Sequence, residues 1–161
     1  MTECEAVRQV IGGMFGLEEA LLSDSSAPPF ANDQSIFLIN ASSGINLFTE
    51  LVSPCQVWMP SYLCASMLRA VERKRLPVRF YEVNGSLTIS EFQWLSEVGQ
   101  GDLVVLIDYF GFPHDKTCTS KLKKIGAWIL EDASQALLSR DVGRSADSVI
   151  FSQRKKGDAA R

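Results

Sequence analysis

Leu103-Val104-Val105-Leu106-Ile107 is the most continuously apolar run in the chain, and it stops abruptly at Asp108 before an aromatic turn, Tyr109-Phe110-Gly111-Phe112-Pro113. A strand without a polar residue on either side must be covered on both faces, which is the condition of a central strand in a parallel sheet and rules out a half-solvated antiparallel one. Other segments read the same way. Gln56 to Met59 is a strand stopped by Pro60, residues 78–83 a strand turned by Asn84-Gly85, Trp128–Asp132 a strand and residues 148–151 a last one. Between them lie helical patterns at 45–52, 63–75, 89–98 and 117–125. In the second, Met67, Leu68 and Val71 share one face, while Arg69, Glu72, Arg73 and Lys74 share the other. Alternation of strand and helix predicts an α/β fold, a mostly parallel sheet flanked by helices.

The chain has 161 residues, enough for one substantial core, and it is expected to form a single domain. Residues 1–32 are expected to form an N-terminal helical and loop segment: Val7, Val10, Ile11, Met14, Phe15 and Leu17 have helical spacing, but Gly12, Gly13 and Gly16 weaken it, and the stretch with Pro28-Pro29 reads as a loop. Residues 36–39 read as a short apolar strand. A net charge of -3 gives no reason to expect nucleic acid or an anionic membrane. Cys4, Cys55, Cys64 and Cys118 are scattered without a C-x-x-C pair, and one histidine, His114, cannot complete a zinc set with them. They read as reduced thiols. No leader pattern and no membrane-length apolar run is present, so a cytoplasmic location is expected.

The candidate site lies where strands end. Trp128-Ile129-Leu130 runs into Glu131-Asp132 and then into small residues, and ligands of open α/β sheets bind outside the carboxyl ends of strands. Asp132 is the first candidate, although a strand-end carboxylate can equally be a plain hydrogen-bonding group. Asn40-Ala41-Ser42-Ser43-Gly44 places a small-residue turn before a helix, whose first N–H groups suit a phosphate or, more blandly, a serine cap. Ser152 and Lys155 follow the last strand, and Arg154-Lys155-Lys156 can also be a solvated tail. An acid, a lysine amine and a phosphate-binding helix start are the parts pyridoxal phosphate requires.

Five pieces of the sequence carry a wider resemblance: Asn40-Ala41-Ser42-Ser43-Gly44, Val57-Trp58-Met59-Pro60-Ser61-Tyr62, Asp108-Tyr109-Phe110-Gly111, Glu131-Asp132-Ala133-Ser134-Gln135-Ala136 and Asp147-Ser148-Val149-Ile150-Phe151-Ser152. In order and spacing they resemble the DegT/DnrJ/EryC1/StrS sugar aminotransferases, which use pyridoxal 5'-phosphate on an aspartate-aminotransferase-like fold. The resemblance implies an incomplete large domain, an N-terminal fragment of such an enzyme. It implies that Asp132 contacts the pyridine nitrogen, that Gln135 lies beside the ring, that Ser43, Gly44 and Ser152 hold the phosphate, and that Lys155 bonds the cofactor aldehyde, with Lys156 as the alternative. Tyr62 takes the ring-covering role, since the usual aromatic position is Cys64; Ile45 stands where the family has a threonine. In the parent a small-molecule amino donor and a keto sugar would be the substrates and a homodimer the working unit, while the fragment alone is expected to be inactive. A non-catalytic α/β binding module and a generic nucleotide-binding domain are the alternatives; against the latter, no G-x-G-x-x-G or Walker pattern is present.

Overall fold

A computed structural model of the chain describes residues 34–136, 139 and 141–152. The expected N-terminal segment 1–32 and the Arg154-Lys155-Lys156 run lie outside these residues. Five strands, β1 (Val57–Pro60), β2 (Val78–Tyr81), β3 (Leu103–Ile107), β4 (Trp128–Asp132) and β5 (Ser148–Ile150), pair in the order β2-β1-β3-β4-β5. Every pairing is parallel. Three helices accompany them: α1 (Ala41–Val52), α2 (Ala65–Glu72) and α3 (Lys116–Ile125). The α/β architecture expected from the alternating pattern is the one observed.

Period-two alternation sorts the strand residues into two apolar layers. Val57, Met59, Leu103, Val105, Leu130 and Ile150 face α1 and α2, where Ile45, Met67, Ala70 and Val71 meet them. Trp58, Tyr81, Val104, Leu106 and Ile129 face α3 and pack on Cys118, Leu122, Leu95 and Val98. Leu103 through Leu106 are fully buried, as a run with no polar residue demands. Removing one such side chain, as in Leu106→Ala, leaves a void on a face that cannot collapse and costs about 2–5 kcal/mol. The helix ends follow local chemistry. Asp115 caps α3 by accepting the Thr117 N–H, and Gly126 ends it with a left-handed residue (φ 82°).

Three sequence expectations are corrected. Residues 36–39 make no strand, and Phe37 and Ile39 are 78% and 95% exposed; an apolar run alone does not specify a partner strand, and none pairs here among the described residues. The helix expected at 45–52 begins four residues earlier, because Asn40 rather than a serine is the cap and draws Ser42, Ser43 and Gly44 into the first turn. Of the helix expected at 89–98 only a 3-10 helix, Gln93–Glu97, forms. Its chain is tied down by Asp102, whose Oδ2 accepts from the Gly99 N–H (2.8 Å), the Gln56 amide (2.6 Å) and the Trp58 indole (3.2 Å).

Candidate functional site

The last two residues of β4 are both acidic and, by strand alternation, they leave the sheet on opposite faces. Asp132 follows Leu130 toward the α1 side, and Glu131 follows Ile129 toward the α3 side. Both are buried, at 6% and 2% exposure. Asp132 is paired with Ile107 on one side and Ile150 on the other, so it stands at the carboxyl edge of three adjacent strands. Its Oδ1 accepts the Ser134 N–H at 2.9 Å. The Ser134 hydroxyl beside it is buried without a hydrogen-bond partner among the described residues.

The start of α1 reaches the same edge. A Cβ on Gly44 would lie 3.2 Å from Ile150 Cδ1, so this glycine lets the first turn of the helix close on the residue paired with Asp132. Ser43 sits in that turn, where the Asn40 Oδ1 accepts both its N–H (2.9 Å) and its hydroxyl (3.1 Å). Ser152 lies two residues past the end of β5 and is half-buried. Lys155 is outside the described residues.

Among the described strands the order changes direction between β1 and β3, and a crevice opens outside the carboxyl ends at such a point. Tyr62 follows β1 and Tyr109 follows β3, and they bridge it: the rings are 5.8 Å apart and tilted by 47°, and the Tyr109 hydroxyl donates to the Tyr62 carbonyl. Tyr62 is exposed while Tyr109 is buried. Burial, then the Tyr62 phenol and the Asp132 carboxylate, push the Tyr109 hydroxyl up to about 12. Gln135 is engaged with the backbone here, its Oε1 accepting the Phe110 N–H at 2.8 Å. That bond holds Phe110 in a left-handed conformation (φ 52°), unusual for an aromatic residue.

Sequence reading passed over a second group, on the α3 side. Asp108 follows β3 and is fully buried; its Oδ1 accepts the His114 N–H (2.9 Å) and faces His114 Nδ1 at 2.8 Å. His114 Nε2 lies 3.0 Å from the Thr119 hydroxyl of α3, and Glu131 Oε1 accepts the Gly143 N–H at 2.9 Å. Burial and the nearby Asp108 carboxylate push Glu131 up to about 7. Burial also works against ionisation of Asp108, but hydrogen bonds from the His114 side chain and backbone outweigh it and hold that carboxyl below its usual value. Alternation within β4 puts Glu131 on the face opposite Asp132, and the β3–β4 register brings Asp108 to that same face.

An open parallel sheet with an acid at a strand end and a helix start beside it makes this an α/β protein, and solved structures of aminotransferases share its fold. A Streptococcus pneumoniae protein assigned as a sugar aminotransferase, Spr1654, in its PLP form, aligns with a TM-score of 0.58 at 12% identity, over 72% of this chain and 36% of its own. The sugar aminotransferase CalS13 of Micromonospora echinospora gives 0.53 at 15% identity, over 60% and 30%. The psychrophilic aromatic amino acid aminotransferase of Psychrobacter sp. B6, crystallised with aspartic acid, gives 0.54 at 13% identity, over 71% and 35%. The chain thus spans about a third of the length of the solved chains it resembles. No family model matches the sequence, and no curated protein is similar to it. What the chain shares with these structures is their fold.

Proposed function

We propose that the chain is part of a pyridoxal-phosphate-dependent aminotransferase that passes an amino group from a small-molecule donor to a keto sugar. The observation that carries this reading is the placement of Asp132: a buried carboxylate at the carboxyl edge, on the face where α1 begins, within a fold shared with aminotransferases. The residues at this edge fit the group. Asp132 supplies a carboxylate for the ring nitrogen, the Ser134 hydroxyl lacks a partner among the described residues, and Tyr62 presents an exposed aromatic face at the crevice.

When bound, pyridoxal phosphate supplies a protonated ring that accepts an electron pair from the substrate carbon. Asp132 keeps the ring nitrogen protonated. Ser43 and Gly44 at the start of α1, with Ser152, hold the phosphate, and the N-terminal end of the helix favours its charge. Gln135 fixes the Phe110 turn at this edge, and Tyr62 would cover the ring. Lys155 would hold the cofactor through its aldehyde, and its amine, once displaced by the substrate's amino group, would move the proton at the substrate carbon. The parent enzyme is cytoplasmic and homodimeric, and this chain alone holds cofactor weakly and does not turn over. Among the described residues no helix is long and apolar enough to cross a membrane.

Incubation with excess cofactor, reduction with borohydride and peptide mapping test the assignment. The expected result is a pyridoxyl adduct on Lys155, or on Lys156 beside it, which is reduced in Asp132→Asn. An adduct confined to a different lysine, or one indifferent to Asp132, overturns it.

A further inference from the structure

On the face of β4 opposite Asp132, we propose that Asp108, His114 and Glu131 form a binding site for a divalent transition-metal ion of the zinc type. The three residues come from the end of β3, the loop before α3 and the end of β4, and one ligand atom from each lies within 4.8 Å of the others. Two carboxylates and an imidazole are a donor set that suits zinc, cobalt or manganese better than magnesium or calcium, which prefer oxygen alone.

A second observation is independent of this clustering. Asp108 has no exposed surface, and its Oδ2 is buried without an N–H or hydroxyl donor among the described residues, while the Glu131 carboxyl lies within hydrogen-bonding reach of the same side chain. Two carboxyl groups facing each other in a dry interior need positive charge between them, and a cation shared with His114 would satisfy both.

The surroundings supply what ligands of a metal need behind them. His114 Nε2 has the Thr119 hydroxyl as a partner, which fixes the ring and leaves Nδ1 on the side of the carboxylates. Asp108 Oδ1 is held by the His114 N–H and Glu131 Oε1 by the Gly143 N–H. Such outer partners orient metal ligands and raise affinity. Of the three residues, His114 lines a cavity of about 640 Å³ walled by Leu87, Ile89, Leu106, Phe112 and Pro113, the side from which an ion would enter. Water from that cavity would complete a tetrahedral set. The bound ion would join the ends of β3 and β4 to the segment around Gly143, stiffening the edge on which Asp132 stands.

The test uses the 161-residue chain stripped with chelator, titrated with Co2+ as a visible-light probe and competed with Zn2+. The expected result is one ion per chain with the absorption of a four-coordinate nitrogen and oxygen site, and a higher unfolding midpoint with Zn2+. His114→Ala should weaken binding at least about 100-fold, and Asp108→Asn, which preserves shape, should do the same. Thr119→Ala, which removes only the orienting partner, should weaken it about 10- to 100-fold. Circular dichroism of each variant confirms that it is folded. No uptake by the wild-type chain, or uptake that Asp108→Asn leaves unchanged, overturns the proposal; the cluster is then held by a proton shared between the two carboxyls.

Discussion

Gly44→Ala sets two effects of similar size against each other, and the structure says which wins. An alanine in place of glycine within a helix gains about 1 kcal/mol, and somewhat less in a first turn such as this one. Against it, the new methyl would lie 3.2 Å from Ile150 Cδ1 and 3.3 Å from Ile150 Cγ1. Ile150 is 8% exposed and packed in the layer with Ile45 and Leu130, so it can yield only by disturbing that layer. Overpacking of this kind costs about 1–3 kcal/mol. The expected net change is a loss of about 0–2 kcal/mol. Ile150→Val removes the closer of the two atoms at a cost of about 0.5–1.5 kcal/mol by itself. In that background Gly44→Ala should become neutral or stabilising, giving a favourable coupling of about 1 kcal/mol in the double-mutant cycle. Urea unfolding followed by tryptophan fluorescence measures all four proteins. If Gly44→Ala alone stabilises the chain by the full helix-propensity gain and the cycle shows no coupling, the close approach of α1 to β5 is not what keeps a glycine here.

Asp102→Ala strands three donors, those of Gln56, Trp58 and Gly99, and should destabilise the chain by about 3 kcal/mol or more in urea, whereas Asp102→Asn, which keeps an acceptor, should cost less. Burial, and then the nearby Asp115 carboxylate, push the Cys118 thiol up to about 12. At pH 8 a thiol reagent should therefore label the exposed Cys55 and Cys64 while Cys118 reacts only on unfolding, as peptide mapping will show. Phe110→Gly should stabilise the chain by up to about 1 kcal/mol, since the side chain is 68% exposed and its backbone is left-handed; thermal unfolding reads this. Gln135→Ala should lower stability by about 1 kcal/mol in the same assay, through the lost bond to the Phe110 N–H.

Strands β3 and β4 were legible to the residue because their apolar runs end sharply at Asp108 and at the Glu131-Asp132 pair, and the inward face of α2 was legible from Met67 and Val71. Both are local patterns. Where a decision rested on partners distant in sequence, reading from the chain alone failed. Residues 36–39 are as apolar as β1 but have no strand beside them among the described residues, and nothing in four residues can report that. A serine was the expected cap of α1, and Asn40 takes that place instead, drawing Gly44 into the first turn against Ile150. The place of Asp132 at the carboxyl edge was legible because an acidic pair follows an apolar run. The cluster of Asp108, His114 and Glu131 was missed because its members are dispersed along the chain and assemble only through the β3–β4 register.

Because Glu131 and Asp132 are consecutive yet serve opposite sides of one sheet, the two neighbourhoods they enter are chemically insulated while being mechanically joined through a single peptide link. An insertion or deletion of one residue within β4 would exchange them, sending the acid that belongs beside His114 to the side of α1 and the reverse. Length of this strand therefore matters more than the identity of any one of its apolar residues. Anything that tightens one neighbourhood fixes the backbone of the other.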